Sequence, residues 1–411
     1  MIGYMNILYF GTICDIERYD EILEKCKYKP SVSTIVFENS LLEGFKQNGV
    51  DVQIHSFPMI PTFPGCKKIF FGGNREKLSC GYECRWLSTV NLPIIKQMSR
   101  RYDGKKVIRK WVKENKENGI IFTYSIPPFL AKEIIKYSKK YSVKTVAIIP
   151  DLLRDMYINE NKVSLVTKLK QCYIKPTLGL QGEYDGYVYL TEAMRSVVAP
   201  EKPYMVMEGI ADINIHKHIK FDKSIPRAVM YAGMLHIKNG ILKLVDAFEK
   251  LSLNDTELWL FGEGTASEEI KRRARLNLQI KFFGSRTHQE VLDYEQKATL
   301  LINPRDPHDE FTKYSFPSKT VEYMLSATPM LTTKLPGIPE EYYDYVFSSE
   351  DNSVENLALA IEDALSYSNE ELEQKGKNAR DFIIKEKNSK NQVARILEFM
   401  QEVMYNASNK S

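Results

Sequence analysis

The chain has 411 residues, 43% hydrophobic and 27% charged, with a formal net charge of +4 at pH 7. This length exceeds one ordinary core and predicts two domains of roughly 200 residues each, while the composition excludes a disordered or fibrous chain. No apolar run reaches the ~18 residues that span a bilayer; Gly119 to Ala131 (GIIFTYSIPPFLA) is broken by prolines and reads as core.

The N-terminal MIGYMNILYFGT lacks a basic stretch and a small-residue cleavage site, and reads as a first buried strand. Cys14, Cys26, Cys66, Cys80, Cys84 and Cys172 form no CxxC pair. They read as thiols in a reducing compartment rather than as a zinc site or a disulfide framework. Charge is uneven: about 31 Lys+Arg against about 23 Asp+Glu precede Ile213, giving that half roughly +8 and the remainder roughly −4. A basic half beside an acidic one suggests a lobe that faces an anionic surface.

Strands are predicted at Asn6–Phe10, Val52–Phe57, Ile120–Tyr124, Lys144–Ile149, Tyr187–Leu190 and Met205–Met207, with helices at Val36–Gln47, Pro128–Tyr141 and Ser164–Cys172. The alternation predicts a parallel, doubly wound α/β sheet. Pro58–Ser88, rich in Pro, Gly, Lys and aromatics, fits neither period and reads as an irregular insertion. Leu92–Lys116 interleaves Ile94, Ile95, Met98, Tyr102, Val107, Ile108, Trp111 and Val112 with nine Lys/Arg, and Lys67 to Phe71 (KKIFF) is a second basic–aromatic cluster. Two readings stand. One is a docking face for an anionic membrane, at about 1 kcal/mol per basic residue; the other is an apolar face packed on the sheet under solvated lysines. Nucleic acid fits less well, because no recognised motif accompanies the charge. Asp151 follows an apolar strand, so it reads either as a cleft carboxylate that contacts an acceptor hydroxyl or as a helix N-cap.

A polar stretch from Gly209 to Pro226 (GIADINIHKHIKFDKSIP) marks the domain boundary, giving domains at 1–212 and 213–385 and a terminal helix at 386–411. The second domain alternates again: strands Val229–Ala232, Leu258–Phe261 and Ile280–Phe283, helices Ile241–Leu251, Glu268–Leu276 and His288–Gln296, then mostly helix from Ala360 to Tyr405. Gly233 ends the first of these strands, where a glycine lets backbone approach a phosphate. Lys238 follows as either a phosphate contact or a solvated lysine. Gly262 opens a tight strand–helix turn, and Arg286 lies past the third strand. Arg305 (in NPR) reads either as a paired donor to phosphate or as a structural salt bridge.

From Ala298 the chain predicts strand, polar loop, a helix opening at Ser318 and closing near Ala327, and a strand Pro329–Thr333. A helix N-terminus presents free N–H groups and a positive dipole end to a diphosphate. Glu322 lies about 6 Å further along the axis, where a carboxylate accepts from two ribose hydroxyls. The plain alternative is an exposed Lys319–Glu322 pair at i, i+3 spacing.

SFPSKTVEYMLSATPML resembles the donor-site segment of GT-B glycosyltransferases, above all the family 4 group that builds bacterial capsular polysaccharides and exopolysaccharides. That group has E-x7-E followed by a small residue and T/K-P-V; Glu322 takes the second Glu position and Thr328-Pro329 the downstream pair. Tyr314 stands where the first Glu is expected and Ala327 where Gly is usual. Met234 and Asn239 replace an Arg and a Lys that usually follow Gly233. The resemblance implies two Rossmann-like domains facing across a cleft, with a last helix returning to the first domain. It implies a nucleotide diphosphate sugar donor, a UDP-sugar among the candidates, and a lipid-linked saccharide acceptor. It implies transfer with retention, as a cytoplasmic enzyme at the inner face of the cell membrane.

No cofactor and no metal are implied, since no DxD motif occupies the expected position. The resemblance assigns donor contacts to Gly11, Gly233, Lys238, Gly262, Arg286, Tyr314, Ser315, Phe316, Ser318, Lys319 and Glu322, and catalytic work to Lys319, Asp151 and Arg305. Members often carry a histidine in the first domain; here that half has only His55. The departures keep two rivals in view, a GT-B pseudoenzyme that binds nucleotide sugar or a partner transferase, and a GT-B sugar-nucleotide epimerase.

Overall fold

The computed structural model describes residues 5–27, 33–116, 118–153, 174–213, 227–251 and 253–405. It divides into two compact units, Met1–Ile210 with Ser389–Ser411, and Ala211–Asn388. The helix expected at Ser164–Cys172 lies outside the described residues, as does most of the polar stretch before Pro226.

The strands of the first unit are β1 Asn6–Gly11, β2 Val52–Ser56, β3 Phe70–Phe71, β4 Arg75–Lys77, β5 Glu83–Trp86, β6 Thr89–Val90, β7 Gly119–Tyr124, β8 Lys144–Ile149, β9 Gly186–Tyr189 and β10 Tyr204–Val206. Its helices include α1 Ile16–Leu23, α2 Ser33–Gln47, α3 Ile95–Glu114, α4 Ala131–Tyr141 and α5 Met194–Val198. Eight strands form one sheet in the order β10-β9-β8-β7-β1-β2-β5-β4, parallel except at β4. Residues of β7 are buried throughout, as expected of a parallel strand covered on both faces.

Two expectations change here. Pro58–Ser88 is not wholly irregular: β5 pairs parallel with β2 (Ile54 opposite Cys84, Ser56 opposite Trp86), and β4 closes the edge. Its alternation, with Cys84 and Trp86 inward, is only four residues long and flanked by glycine and charge, so composition masks the period. The basic segment folds as α3, but its apolar residues do not share one face. Ile108, Trp111 and Val112 are buried, whereas Ile94, Ile95, Met98 and Tyr102 are exposed. Lys96 and Arg100 are themselves buried. Arg100 donates to Thr89 Oγ1 (3.1 Å) and the Pro58 carbonyl (2.9 Å), and Lys96 donates to the Ile60 carbonyl.

The second unit holds β11 Arg227–Ala232, β12 Thr256–Phe261, β13 Ile280–Gly284, β14 Leu300–Asn303, β15 Met330–Thr333 and β16 Phe347–Ser349. With them come α6 Ile241–Lys250, α7 Ser267–Leu276, α8 His288–Lys297, α9 Ser318–Leu325, α10 Val354–Ser366 and α11 Asn369–Glu386. Its sheet is wholly parallel in the order β13-β12-β11-β14-β15-β16. This is the Rossmann order, in which chain progression reverses between the first and fourth strands and opens a crevice at their carboxyl ends. A last helix, α12 Ser389–Tyr405, belongs to the first unit. There Val393, Ile396, Leu397 and Met400 join the core around Ile7, Phe45 and Ile120.

Candidate functional site

The reversal point lies where β11 runs out into Gly233 and β14 into Pro304-Arg305. Backbone bonds extend the sheet into the loops: Gly233 N–H donates to the Phe261 carbonyl (3.0 Å), Gly262 N–H to Gly284 (2.8 Å) and Leu235 N–H to Glu263 (3.0 Å). Gly262 has φ +118°, and a Cβ there would stand 1.9 Å from the Gly233 oxygen. A Cβ on Gly240 would meet the Pro304 oxygen at the same distance. These positions need glycine because backbone meets backbone.

Lys238 sits on a single 3₁₀ turn, Ile237–Asn239, ahead of α6. Its ammonium and the Arg305 guanidinium each lie 5.9 Å from the centroid of the Phe311 ring. The Arg305 carbonyl accepts from Thr333 Oγ1 at 2.6 Å, which ties the loop after β14 to the end of β15. Tyr231 connects the groups. Its hydroxyl donates to the Met234 carbonyl (3.2 Å), and burial raises its pKa while the charges of Arg305 and Lys319 pull it back. Both cations therefore lie near enough to act on this phenol.

The first turn of α9 begins after Pro317, which offers no side-chain cap. Ser318 is exposed there. Tyr323, fully buried, accepts from the Ala232 N–H (2.9 Å) and donates to the Ala232 carbonyl (3.2 Å), pinning α9 to the end of β11. One turn earlier Lys319 Nζ meets Glu322 Oε1 at 2.5 Å and lies 3.9 Å from Glu295 Oε1; His288 Nε2 approaches Glu322 Oε2 at 3.5 Å. Burial disfavours the Lys319 ammonium, yet Glu322 and Glu295 outweigh it and hold its pKa above the usual lysine range. Burial likewise opposes the Glu322 carboxylate, but Lys319 holds its pKa below the ordinary value. Glu295, wholly enclosed, is pushed well up by burial and then by the charge of Glu322.

Other expected donor contacts distribute differently. Tyr314 and Ser315 are half-buried at the end of a 3₁₀ turn, Glu310–Tyr314. The Phe316 ring packs inward on Tyr342 at 5.6 Å and supports the loop. Arg286 is exposed on the loop that leads to His288.

Gly11 and Asp151 belong to the first unit, at the ends of β1 and β8. A Cβ on Gly11 would strike Glu38 Oε2 at 1.9 Å. Glu38 reaches this point from α2 and accepts from Tyr9 Oη (2.6 Å), the Thr12 N–H (2.9 Å) and the Thr12 hydroxyl. Burial pushes its pKa up to about 7 against these bonds. Asp151 is exposed; burial raises the Tyr124 hydroxyl, and the charges of Glu38 and Asp151 add to it. His55 is buried and its pKa is lowered to about 4, first by burial and then by Arg85; a structural role explains it.

Sequence reading missed Glu38, Tyr231, Glu295 and Tyr323. A signal existed for two of them. Glu38 and Glu295 are charged residues on the otherwise apolar stripes of α2 and α8 (Ile35, Leu41, Leu42; Val291, Leu292), where charge needs a reason.

Residues 226–367 match the family model for glycosyl transferases group 1. A search of curated proteins finds no sequence match. Among solved structures, a sucrose-phosphate synthase from Thermosynechococcus elongatus aligns with a TM-score of 0.66 at 14% identity, covering 98% of this chain and 100% of that one. HepE from Anabaena, in complex with UDP, aligns at 0.62 and 14% over 97% and 100%. A glycosyltransferase from Rickettsia africae aligns at 0.58 and 14% over 98% and 100%. The chain thus has the GT-B fold, two Rossmann-like units and a returning last helix, and its second unit carries the glycosyl transferases group 1 match.

Proposed function

We propose that the protein is a glycosyltransferase that moves a sugar from a nucleotide diphosphate sugar, a UDP-sugar by preference, to a lipid-linked saccharide in surface polysaccharide assembly, with retention. The observation that carries the donor side is the Lys319–Glu322 pair at the start of α9, beside the strand-order reversal and within reach of the same phenol as Arg305. Glu322 accepts from the ribose hydroxyls, and the free N–H groups of the first turn of α9 receive the diphosphate. Lys319 and Arg305 stabilise the charge that grows on that diphosphate as the glycosidic bond breaks. Lys238 adds a third cation. Asp151 orients the acceptor hydroxyl from the first unit. UDP is the first candidate because the HepE structure holds it. Calorimetry with UDP, GDP and the corresponding sugars tests the donor; turnover with and without a lipid-linked acceptor separates a transferase from an epimerase or a binding protein.

Support for the lipid side comes from α3. No described helix is long and apolar enough to cross a membrane. Phe70, Ile94, Met98 and Tyr102 are each more than 60% exposed, beside a cavity of about 540 Å³ lined in part by Arg18, Lys68, Tyr102 and Lys106. Exposed apolar groups rimmed by lysines suit the interface of an anionic bilayer. Co-sedimentation with vesicles of anionic and neutral lipid tests this surface.

A further inference from the structure

Glu295 is the one charged member of the α8–α9 cluster with no exposed surface. It comes from the last turn of α8, whose backbone there is tied to the start of β15 by Thr328 Oγ1 donating to the Glu295 carbonyl at 2.8 Å. Its side chain lies against the pair on α9, with Oε1 3.9 Å from Lys319 Nζ, and its carboxyl is near enough to that of Glu322 for each to shift the other. Two carboxyl groups so close favour a proton on one of them. Lys319, at 2.5 Å from Glu322 Oε1, keeps Glu322 ionised, so the proton resides on the enclosed partner.

We propose that Glu295 is a positioning residue of the donor site: its carboxylic acid donates to the Glu322 carboxylate and fixes how Glu322 and Lys319 meet a nucleotide. This rests on the reading of Glu322 as the ribose acceptor. A carboxylate tied to a helix only through its own rotatable side chain would swing toward Lys319 and saturate on it. A buried donor holds one lone-pair direction and leaves the others free. The arrangement also sets the charge: one carboxylate, one ammonium and one neutral acid let an anionic diphosphate approach, whereas a second carboxylate would repel it.

The test uses UDP as the probe on the full chain. Glu295→Gln keeps a donor without a titrating proton and should bind UDP within about threefold of wild type, whereas Glu295→Leu should lose roughly tenfold, the usual worth of a hydrogen bond to a charged group. On the alkaline side wild-type affinity should fall as Glu295 ionises, and the Glu295→Gln profile should not. The groups that face Glu295 are Glu322, Lys319 and Tyr323 on α9, with His288 on α8 and Tyr231 on β11 completing the cluster; all are common to both proteins, so the difference between the profiles isolates Glu295.

Leu is close in size and leaves no unpaired charge, and a melting curve checks its folding. Wild-type affinity in folded Glu295→Leu overturns the proposal, as does an equal loss in Glu295→Gln and Glu295→Leu. Should Glu322→Ala bind UDP normally, the ribose reading fails on its own. Glu295 is then decided without ligand, by the carboxyl ¹³C titration of Glu322. Its midpoint should rise in Glu295→Leu as the donor is lost; an unchanged midpoint overturns the contact.

Discussion

Lys238 and Arg305 stand at the same 5.9 Å distance from the Phe311 ring centroid, although one follows β11 and the other β14. The aromatic side chain thus spaces two cations that belong to loops on either side of the strand-order reversal. Arg305 also lies near enough to act on Tyr231 and is held through its carbonyl by Thr333, while Lys238 sits on a single turn. Removing each charge should therefore have unequal effects.

Arg305→Ala is expected to reduce turnover by about two to three orders of magnitude, the range seen when one preorganised electrostatic contact is lost. Lys238→Ala should reduce it less than tenfold. Steady-state kinetics with UDP-sugars checks the ranking, and equal losses would count against unequal placement of the two charges.

Glu322→Ala should cut UDP affinity by roughly a hundredfold, because it removes the charged acceptor of two ribose hydroxyls. Lys319→Ala should act mainly on kcat, since its charge matters most as the diphosphate departs. Calorimetry for the first and single-turnover rates for the second separate these effects. Turnover of Lys319→Ala within twofold of wild type would return this residue to an ordinary i, i+3 partner.

Charge reversal at Lys67, Lys68 and Lys106 should release the protein from anionic vesicles by about two orders of magnitude, at about 1 kcal/mol per contact. Release should increase with salt, since exposed charges are screened within about 8 Å at physiological ionic strength. Arg100→Glu is a different experiment. Its guanidinium is buried on Thr89 and the Pro58 carbonyl, so reversal should lower the melting temperature and not report on docking.

The folded-state pKa of Glu38 lies near 7, raised from 4.5 by burial. Its contribution to stability is present in full below pH 4.5 and lost as pH rises to about 7, with an upper bound on the order of 3 kcal/mol. His55 runs the other way. Its lowered folded pKa, about 4, makes stability rise between pH 4 and 6.5 as the unfolded chain sheds its extra proton. The two slopes overlap, so wild type should look nearly flat across that window. Glu38→Gln should leave the rising slope exposed in denaturant titrations at a series of pH values; an unchanged curve would show that Glu38 does not titrate there.

The second unit was legible because each of its strands is an apolar run followed by a clear helical period, and because Ser318, Lys319 and Glu322 fall within one helix opening. β5 was hidden by its length. The apolar residues of α3 were visible, but which of them face inward depends on Arg100 and Lys96 reaching carbonyls of a distant loop, and no local period encodes that. Tyr231 and Tyr323 read as core aromatics; their roles come from where their hydroxyls end, which only the folded chain defines. Glu295 was readable as a misplaced charge, but its partner lies on another helix.

Gly44 on α2 has no room for a Cβ, which would sit 2.2 Å from the Ser389 oxygen. The first unit therefore closes its core with a helix translated after the whole second unit. Until α12 arrives, the apolar surface around Leu41 and Phe45 has no cover, while the second unit already holds every strand of its own sheet. The order of synthesis and the order in which the two cores can be completed are thus inverted here. The half of the protein made first is the half completed last, and the interval between them is when a chaperone, or a premature stop, would matter most.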